Sequence, residues 1–461
     1  EAWLYTTHDM ARSKAWRWGE EGIGGICDDK QILCFAPAFW NGNDPIIKER
    51  FFGLTNYEGN HGEDVKELYY YLDSTPTHSY MKMLYKYPQS VFPYGQLIDE
   101  NKKRGRLDPE YEIIDTGVFD EDNYFDIFIE YAKAETDDIL IKLTLCNRSS
   151  LPASLVVLPT LWFRNTWSWG YHDEKPVIIV NNKGTIEATH PRLKLFRLYT
   201  EKEEELLFCE NETNTRRLYG TGEMNAYYKD GINDFVVHQT PTVNSGRQGT
   251  KVAVFQKVDL KANETQILRL RLTTRHFNDA FGDFNEVFQK RIDEADSFYA
   301  DIQKGLMDDD EKNVQRQAFA GMLWNKQFYY YDVGEWLKGD PAMPPPPVSR
   351  LSGRNREWKH LNNADVISMP DKWEYPWYAT WDLAFHCVTF AMIDLDFAKK
   401  QLLLLTHEWY IHPNGEMPAY EWAFDDANPP VHAWATYNVY LKDKEVNGGK
   451  GDTAFLETVF H

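Results

Sequence analysis

The sequence predicts a multidomain β and α protein, in which an antiparallel β-sandwich is followed by a helical domain. Its 461 residues exceed the roughly 250–300 residues at which a single hydrophobic core usually stops growing. From about residue 20 to 274, apolar and polar residues alternate with the period of a strand. From residue 275 onward, apolar residues recur every three or four positions, as on one face of a helix.

The first predicted domain covers residues 1–274. Gly, Asn, Asp and Pro separate its alternating segments, and so many strands over this length favour two packed sheets. The start of the domain, residues 7–25, is predicted to be an ordered arm in which Arg12 and Arg17 face acidic neighbours. The clearest strands are predicted at residues 125–132, 139–147, 154–163, 251–258 and 267–274.

A linker helix is predicted at residues 275–310, with an apolar face from Phe277 to Ile302. The helical domain follows at 311–461. Residues 332–378 contain four consecutive prolines and are predicted to be irregular. The chain begins at Glu1 and reaches His461 inside a predicted helix, so we expect truncation at both ends and an incomplete helical domain. The remaining helices are predicted at residues 311–331, 380–393, 396–411, 431–442 and 452–461.

Charge and cysteine content exclude several classes of function. Lys and Arg number 50 against 71 Asp and Glu, which gives a net charge of -21 and disfavours nucleic acid or an anionic membrane as a partner. The five cysteines show neither CxxC spacing nor a Cys/His cluster for zinc, so we expect reduced thiols, no metal, no cofactor and a cytoplasmic location. No apolar run approaches the roughly 20 residues that span a bilayer, and no nucleotide, zincin or serine-hydrolase motif is present.

The stretch "PDKWEYPWYATWDLAFH", residues 370–386, is the first candidate site. Trp373, Trp377 and Trp381 are spaced four apart, and Asp382 follows directly. A carboxylate among so many rings must pair, accept hydrogen bonds or hold a proton with a raised pKa. A raised pKa suits the general acid of a glycosidase, while acceptance of sugar hydroxyls is an equally good use. The alternative is that Asp382 caps a helix that begins near Leu383.

The stretch "HPNGEMPAYEWAFDDANPPVHAW", residues 412–434, is the second candidate. Its prolines and glycine predict a loop between two helices. The loop combines the carboxylates Glu416 and Glu421 with Trp422 and Trp434. Rings beside carboxylates are typical of a sugar site, whereas a solvated acidic loop does not account for the tryptophans.

Two weaker candidates have simpler alternatives. Arg164 lies between two tryptophans and is expected to stack on them or, as we favour, to pair with an acid at a domain interface. His61, Glu63 and Asp64 could bind a metal ion. Their spacing matches no standard metal site, so a solvated turn is favoured.

Six long motifs are spread along nearly the whole chain. They are "HDMARSKAWRWGEEGIGGI", "LTNYEGNHGEDVKE", "LDSTPTHSYMK", "PTLWFRNTWSWG", "ADVISMPDKWEYPWYATWDLAFH" and "NGEMPAYEWAFDDANPPVHAW". Together they resemble glycoside hydrolase family 63, in particular its bacterial glucosidase-like branch. The resemblance implies an amino-terminal β-sandwich followed by the first part of an (α/α)6 barrel, and hydrolysis of terminal α-linked sugars with inversion.

The resemblance also implies roles for individual residues. Asp382 would be a ligand for sugar hydroxyls and not the general acid, because the general-acid Asp and the general-base Glu of the family would lie beyond His461. Asn428 stands where family members often have Gln, which makes its role as a sugar contact less secure. The residues expected to line one substrate pocket are Trp377, Trp381, Asp382, Glu421, Trp422 and Asn428.

Two functions remain open on the sequence. The first is an inverting exo-acting glycosidase for terminal α-glucosyl or α-mannosyl linkages in small glycosides or oligosaccharides. The second is a carbohydrate-binding or assembly fragment that is inactive without its missing C-terminal segment. The expected partners are a small neutral carbohydrate and that segment, with no nucleic acid and no membrane.

Overall fold

The computed structural model describes residues 8–55, 57–60, 64–172, 174–223, 226–353, 355–420 and 428–461. The chain divides into two compact units. The first unit holds most of the chain up to residue 295. The second holds residues 296–461 together with the short stretches 74–76 and 169–172. The protein is thus a multidomain chain of antiparallel sheets and helices.

Most of the regular structure up to residue 274 is strand, because the alternating segments can bury one face each. Four short α-helices occur among them in the described residues, α1 (His8–Ser13), α2 (Tyr94–Lys103), α3 (Thr215–Tyr219) and α4 (Gly231–His238). The strands are β1 (Ile26–Cys27), β2 (Leu33–Trp40), β3 (Gly53–Leu54), β4 (Asp64–Val65), β5 (Leu68–Ser74), β6 (Tyr80–Pro88), β7 (Tyr124–Glu135), β8 (Asp138–Asn147), β9 (Ala153–Phe163), β10 (Val177–Val180), β11 (Ile186–Thr189), β12 (Phe196–Thr200), β13 (Glu205–Cys209), β14 (Gln248–Gly249), β15 (Lys251–Leu260) and β16 (Thr265–Thr273).

Two large sheets are formed within the described part of the first unit. One has the strand order β1-β2-β9-β15-β13, and the other β14-β10-β11-β12-β16-β8-β7-β6-β5. The sheets face each other through aromatic rings. Phe35 of β2 meets Tyr131 of β7 edge to face at 6.4 Å between ring centroids, and Phe39 lies 6.2 Å from Tyr85 of β6. All four rings are fully or almost fully buried, so this aromatic layer is a core of the unit.

The predicted strands agree with this unit, and one of the two contacts predicted for the arm is present. The five strand segments named above lie in β7, β8, β9, β15 and β16, apart from one residue at the end of the last. In the arm, the guanidinium of Arg12 lies 3.2 Å from the carboxylate of Asp234. The acidic neighbour expected for Arg12 is therefore present.

The second unit is mainly helical. Its hydrophobic core includes the fully buried rings of Trp358, Tyr378 and Tyr410, and α8, α9 and α10 pack against one another. The boundary between the units falls inside α5. The elements are α5 (Phe284–Ile302), α6 (Asp309–Trp324), β17 (Lys326–Asp332), α7 (Val333–Lys338), β18 (Asn362–Ser368), α8 (Thr380–Phe390), α9 (Leu395–Leu405), α10 (Val431–Val446) and α11 (Thr453–Phe460).

Two predictions for this part of the chain were wrong. The helix predicted at residues 311–331 ends at Trp324, and the next residues form β17, which pairs with β18 over seven positions. The stretch 332–378, predicted to be irregular, contains α7 and β18. The tyrosine-rich end of the predicted helix also fits a strand, and its pairing partner lies more than thirty residues later. Local periodicity could not reveal that partner.

No helix among the described residues is long and apolar enough to cross a lipid bilayer.

Candidate functional site

Helix α8 begins against a short segment of the 412–434 loop. Thr380 is the first helical residue, and its backbone N–H donates to the carbonyl oxygen of Ala419 at 3.1 Å. The hydroxyl of Thr380 donates to the carbonyl oxygen of Pro418. Ala379, the residue before the helix, pairs with Tyr420 in an isolated antiparallel bridge. The two candidate stretches of the sequence therefore meet at the start of α8.

Asp382 is the third residue of α8. The helix starts at Thr380 and not near Leu383, so the alternative in which Asp382 caps the helix is wrong. The carboxyl group is half-buried, and burial raises its pKa, although a hydrogen bond from its own backbone N–H works in the opposite direction. Such a group holds a proton more readily than a solvated aspartate, and it gains from any ligand hydroxyl that donates to it.

An exposed row of rings is formed by Trp381, which precedes Asp382 in α8, together with Phe385 and Trp434. Trp381 and Phe385 lie one turn apart on α8, with centroids 6.3 Å apart. Phe385 contacts Trp434 of α10 at 5.7 Å, again edge to face. The three side chains are 37%, 46% and 50% exposed. A contiguous apolar surface of this kind usually contacts a ligand or another part of a protein.

Trp377 is placed between the core and the surface. Its ring meets Tyr375 edge to face at 5.3 Å, and it packs against the hydrophobic core of the second unit. Trp373, by contrast, is only 3% exposed and belongs to the interior. Of the three evenly spaced tryptophans, Trp377 and Trp381 therefore retain surface that a ligand can reach.

Asn428 connects the end of the loop to the same segment. Its side-chain amide donates a 2.6 Å hydrogen bond to the carbonyl oxygen of Met417. Among the described residues, nothing donates to its buried side-chain oxygen. That oxygen is an acceptor available to a hydroxyl group or a water molecule. Glu421 and Trp422, the other two predicted pocket residues, lie outside the described residues.

His386 is a residue near the site that the sequence analysis did not select. It follows Asp382 by one turn on α8, and its Nδ1 lies 2.8 Å from the hydroxyl oxygen of Ser368 on β18. Burial lowers the pKa of His386 to about 4, so the imidazole is uncharged at neutral pH. A helical spacing of four from Asp382 was the available signal, but a single histidine on a helix is more often a packed residue than a functional one.

Arg164 contacts backbone carbonyl groups of the arm and of the β1–β2 hairpin. Its guanidinium donates to the backbone carbonyl oxygens of Gln31, Arg17 and Lys30, at 3.0, 2.5 and 3.2 Å. These residues belong to the arm and the β1–β2 hairpin of its own unit. The side chain is buried and holds these two segments together, while the interface contact expected from the sequence stays a prediction.

The acidic turn near Asp64 is paired with the ammonium group of Lys66. The carboxylates of Asp64, Glu110 and Glu112 lie close enough together to hold a metal ion. Lys66 already contacts all three, with its ammonium 3.0 Å from Glu112, 3.5 Å from Glu110 and also bonded to Asp64. Burial of Lys66 opposes its charge, yet these hydrogen bonds raise the pKa of the ammonium group. His61 and Glu63 lie outside the described residues.

Comparison with known proteins yields one long sequence match. No protein-family model matches the chain. An uncharacterized protein of Saccharomyces cerevisiae, YMR196W, is 43% identical over 509 aligned positions, which cover 100% of this chain and 47% of the yeast protein. The chain thus spans about half the length of the curated relative that it matches.

Two solved structures show weak likeness. A putative kojibiose phosphorylase from the human microbiome is 10% identical, with 95% of this chain and 55% of that chain covered and a TM-score of 0.23. A polysaccharide lyase is 11% identical over 36% of this chain and 22% of its own, with a TM-score of 0.20. Scores this low carry no argument about fold or function, so the function has to be argued from the residues of the site.

Proposed function

We propose that the chain is part of a carbohydrate-active enzyme, an inverting exo-acting glycoside hydrolase of the family 63 type. Its substrates would be terminal α-glucosyl or α-mannosyl linkages in small glycosides or oligosaccharides. The observation that carries the proposal is Asp382, a half-buried carboxylate with a raised pKa in the first turn of α8, where it follows the exposed Trp381 in sequence.

A sugar offers two kinds of surface, and the site has a counterpart for each. Its C–H face is apolar and can cover the exposed ring of Trp381, which removes apolar area from water. Its hydroxyl groups can donate to the carboxylate of Asp382 in charge-assisted hydrogen bonds. The side-chain oxygen of Asn428, which has no donor among the described residues, supplies a second acceptor at the other candidate stretch.

In this proposal Asp382 binds the substrate and is not a reacting group. An inverting mechanism needs two carboxyl groups roughly 6.5–9.5 Å apart, one to protonate the leaving oxygen and one to activate water. The family resemblance assigns these groups to later segments of the longer protein. The two facing sheets would be the sandwich of the family, and α6 to α11 would be early helices of its (α/α)6 barrel.

The second candidate is a carbohydrate-binding or assembly fragment that is inactive alone. The observation in its favour is the aromatic row of Trp381, Phe385 and Trp434, whose rings are 37–50% exposed. A surface of this kind on two packed helices would be covered in a larger assembly. Both candidates predict that the 461-residue chain alone releases no sugar.

The test compares the full-length protein with this chain. Each is incubated with α-glucosides, glucosylglycerate and mannosylglycerate, and released sugar is followed by thin-layer chromatography; this chain alone should release none. Nuclear magnetic resonance of the first-formed product then gives its anomeric configuration. Release of a β-anomer from an α-linked substrate supports the proposal. Binding of these sugars without release by the full-length protein favours the second candidate, and neither binding nor release contradicts both.

A further inference from the structure

Cys27 and Cys34 lie directly opposite each other in neighbouring strands. Strands β1 and β2 are antiparallel, and their register pairs Cys27 with Cys34. Opposite residues in such a pair point to the same face, with Cα atoms about 4.5–5.5 Å apart. Disulfides join Cα atoms about 4.4–6.8 Å apart. The register therefore puts the two thiol groups within the range in which a bond can form.

The hairpin that carries the pair is held firmly in this register. The carboxylate of Asp28 accepts hydrogen bonds from the backbone N–H groups of Ile32 and Leu33, at 2.7 and 2.8 Å. Arg164 donates to the carbonyl oxygen of Gln31 in the same turn. These contacts fix the turn between the strands, so the two cysteines stay opposite each other without help from a covalent bond.

The two thiols differ in their access to solvent. Cys27 is exposed, whereas Cys34 is 2% exposed and packs with Ala36 and Trp162. Burial, followed by the neighbouring charge of Cys27, raises the pKa of the Cys34 thiol well above its usual range. Because the thiolate is the reactive form, an oxidant in solution reacts first at the exposed cysteine.

We propose that Cys27 and Cys34 form a reversible intramolecular disulfide when the protein meets a peroxide. The thiolate of Cys27 attacks one oxygen of hydrogen peroxide, which yields a sulfenic acid and, after proton transfer, one water molecule. The sulfur of Cys34 then attacks the sulfenic sulfur and displaces its oxygen as a second water. Two thiols are oxidised by two electrons in total, and one peroxide is reduced to two waters.

The position of the pair makes the bond labile. Opposite Cβ atoms in an antiparallel pair lie about 4.5–5.5 Å apart, while a relaxed disulfide needs about 3.5–4.5 Å. The strands must therefore draw together slightly, and strained or exposed disulfides are the ones that thiols reduce easily. Strand β1 has only two residues and forms the edge of its sheet, so it can make this adjustment.

Three further cysteines serve as internal controls. Cys146 is opposite Thr265, and Cys209 is opposite Lys251. Cys387 lies in α8, and all three are buried. None of them has a cysteine as its cross-strand partner in the described registers, so we expect all three to remain thiols under the same mild treatment.

The experiment treats the 461-residue chain with a small excess of hydrogen peroxide, blocks remaining thiols with N-ethylmaleimide and digests without reduction. Trypsin cleaves after Arg17, Lys30 and Lys48, so each cysteine falls on its own peptide, residues 18–30 and 31–48. A covalently linked pair of these two peptides is the expected product. Dithiothreitol should separate them, while the peptides of the three control cysteines carry the maleimide label.

Two variants complete the test. Cys27→Ser should abolish the linked peptides and leave Cys34 labelled once the protein is unfolded, because the buried thiol is not reached by peroxide. Cys146→Ser, a matched change in another strand, should leave the linked peptides unaltered. The proposal is overturned if wild-type Cys27 is recovered as sulfinic acid, or linked to a second chain, while Cys34 remains a thiol.

Discussion

Arg271 and Asp138 form two parallel hydrogen bonds, each 2.7 Å long, in the interior of the first unit. The arginine is fully buried and also contacts Asp283 at 2.6 Å. Arg271→Met should lower the free energy of unfolding of this unit by about 3 kcal/mol, because it leaves the buried carboxylate of Asp138 without its main partner. Arg275, 3.7 Å from Asp138 and largely exposed, replaces only part of that contact.

Arg269→Met is the matched control, since Arg269 lies on the same strand. Its ion pair with Glu201 is longer, at 3.4 Å, and both side chains are about one-third exposed. Exposed pairs contribute up to about 1 kcal/mol. Urea unfolding of both variants gives the comparison, and equal costs would show that the burial of the Arg271 pair has no special energetic weight.

Asp382→Asn in the full-length protein should weaken sugar binding as well as turnover. A hydroxyl ligand contributes in the ground state and in the transition state, and a charge-assisted hydrogen bond contributes roughly 1.5–3 kcal/mol, or about 10- to 150-fold in affinity. The Michaelis constant, kcat and a directly measured Kd give the result. Asp396→Asn, an exposed aspartate in the first turn of α9, should change none of them.

A different kinetic pattern would assign Asp382 to the chemical step. A large loss of kcat with an unchanged Michaelis constant, restored by substrates with activated leaving groups, is the behaviour of a missing general acid. That pattern is incompatible with a role in substrate binding alone.

Trp381→Ala should lower the affinity of the full-length protein for its sugar by about fivefold. The estimate takes roughly 1 kcal/mol for the apolar face that the sugar would cover. Trp409→Ala removes a tryptophan of similar exposure, 40% against 37%, which stacks on His407. Calorimetric titration of both variants should show a loss only for Trp381. Equal affinities would place the sugar elsewhere and leave the aromatic row as a contact surface.

His386 should make the second unit less stable in mild acid. The unfolded chain takes up a proton at this residue near its ordinary pKa of 6.5, whereas the folded protein does so only near 4. Between these values the unfolded state binds more protons, so stability is fully present above about pH 6.5 and declines as the pH falls towards 4. The total loss is about 3 kcal/mol.

The measurement is the pH dependence of urea unfolding, followed for the wild type and for His386→Asn. The variant should show a shallower decline between pH 6.5 and 4. His407→Asn, which alters an exposed histidine of the same unit, should keep the steep decline of the wild type. An unchanged slope in His386→Asn would show that other groups cause the acid sensitivity.

The sequence predicted the strands well because their signal is local. In β8, for example, the alternation of residues 139–147 alone marks a strand that the structure extends by a single residue at its start. The strand β17 was missed for the opposite reason, since its partner β18 lies far along the chain and its tyrosines fit either period. A pattern within one segment carries no information about what that segment will pair with.

The candidate site was predictable in its residue types and not in its contacts. The tryptophans near Asp382 could be read directly, and so could the carboxylates of the second stretch. Only the tertiary structure reveals the hydrogen bonds between these stretches. Thr380 donates to Pro418 and Ala419, and Asn428 donates to Met417. The ring of Phe385 was overlooked because an isolated phenylalanine on a helix gives no sign that it will be exposed.

The strand order of the five-stranded sheet has a consequence for how the protein is synthesised. Strand β2 pairs with β9, where Phe35 lies opposite Leu161, and β9 pairs in turn with β15, where Leu161 lies opposite Val252. During synthesis, more than a hundred further residues must therefore be added after β2 before β9 is available to pair with it. Strand β15, the second partner of β9, is synthesised later still. Sheets with such distant partners form slowly and expose unpaired apolar edges meanwhile. Until about residue 260 has emerged, a nascent chain of this protein therefore lacks the partner strands that would cover these apolar edges.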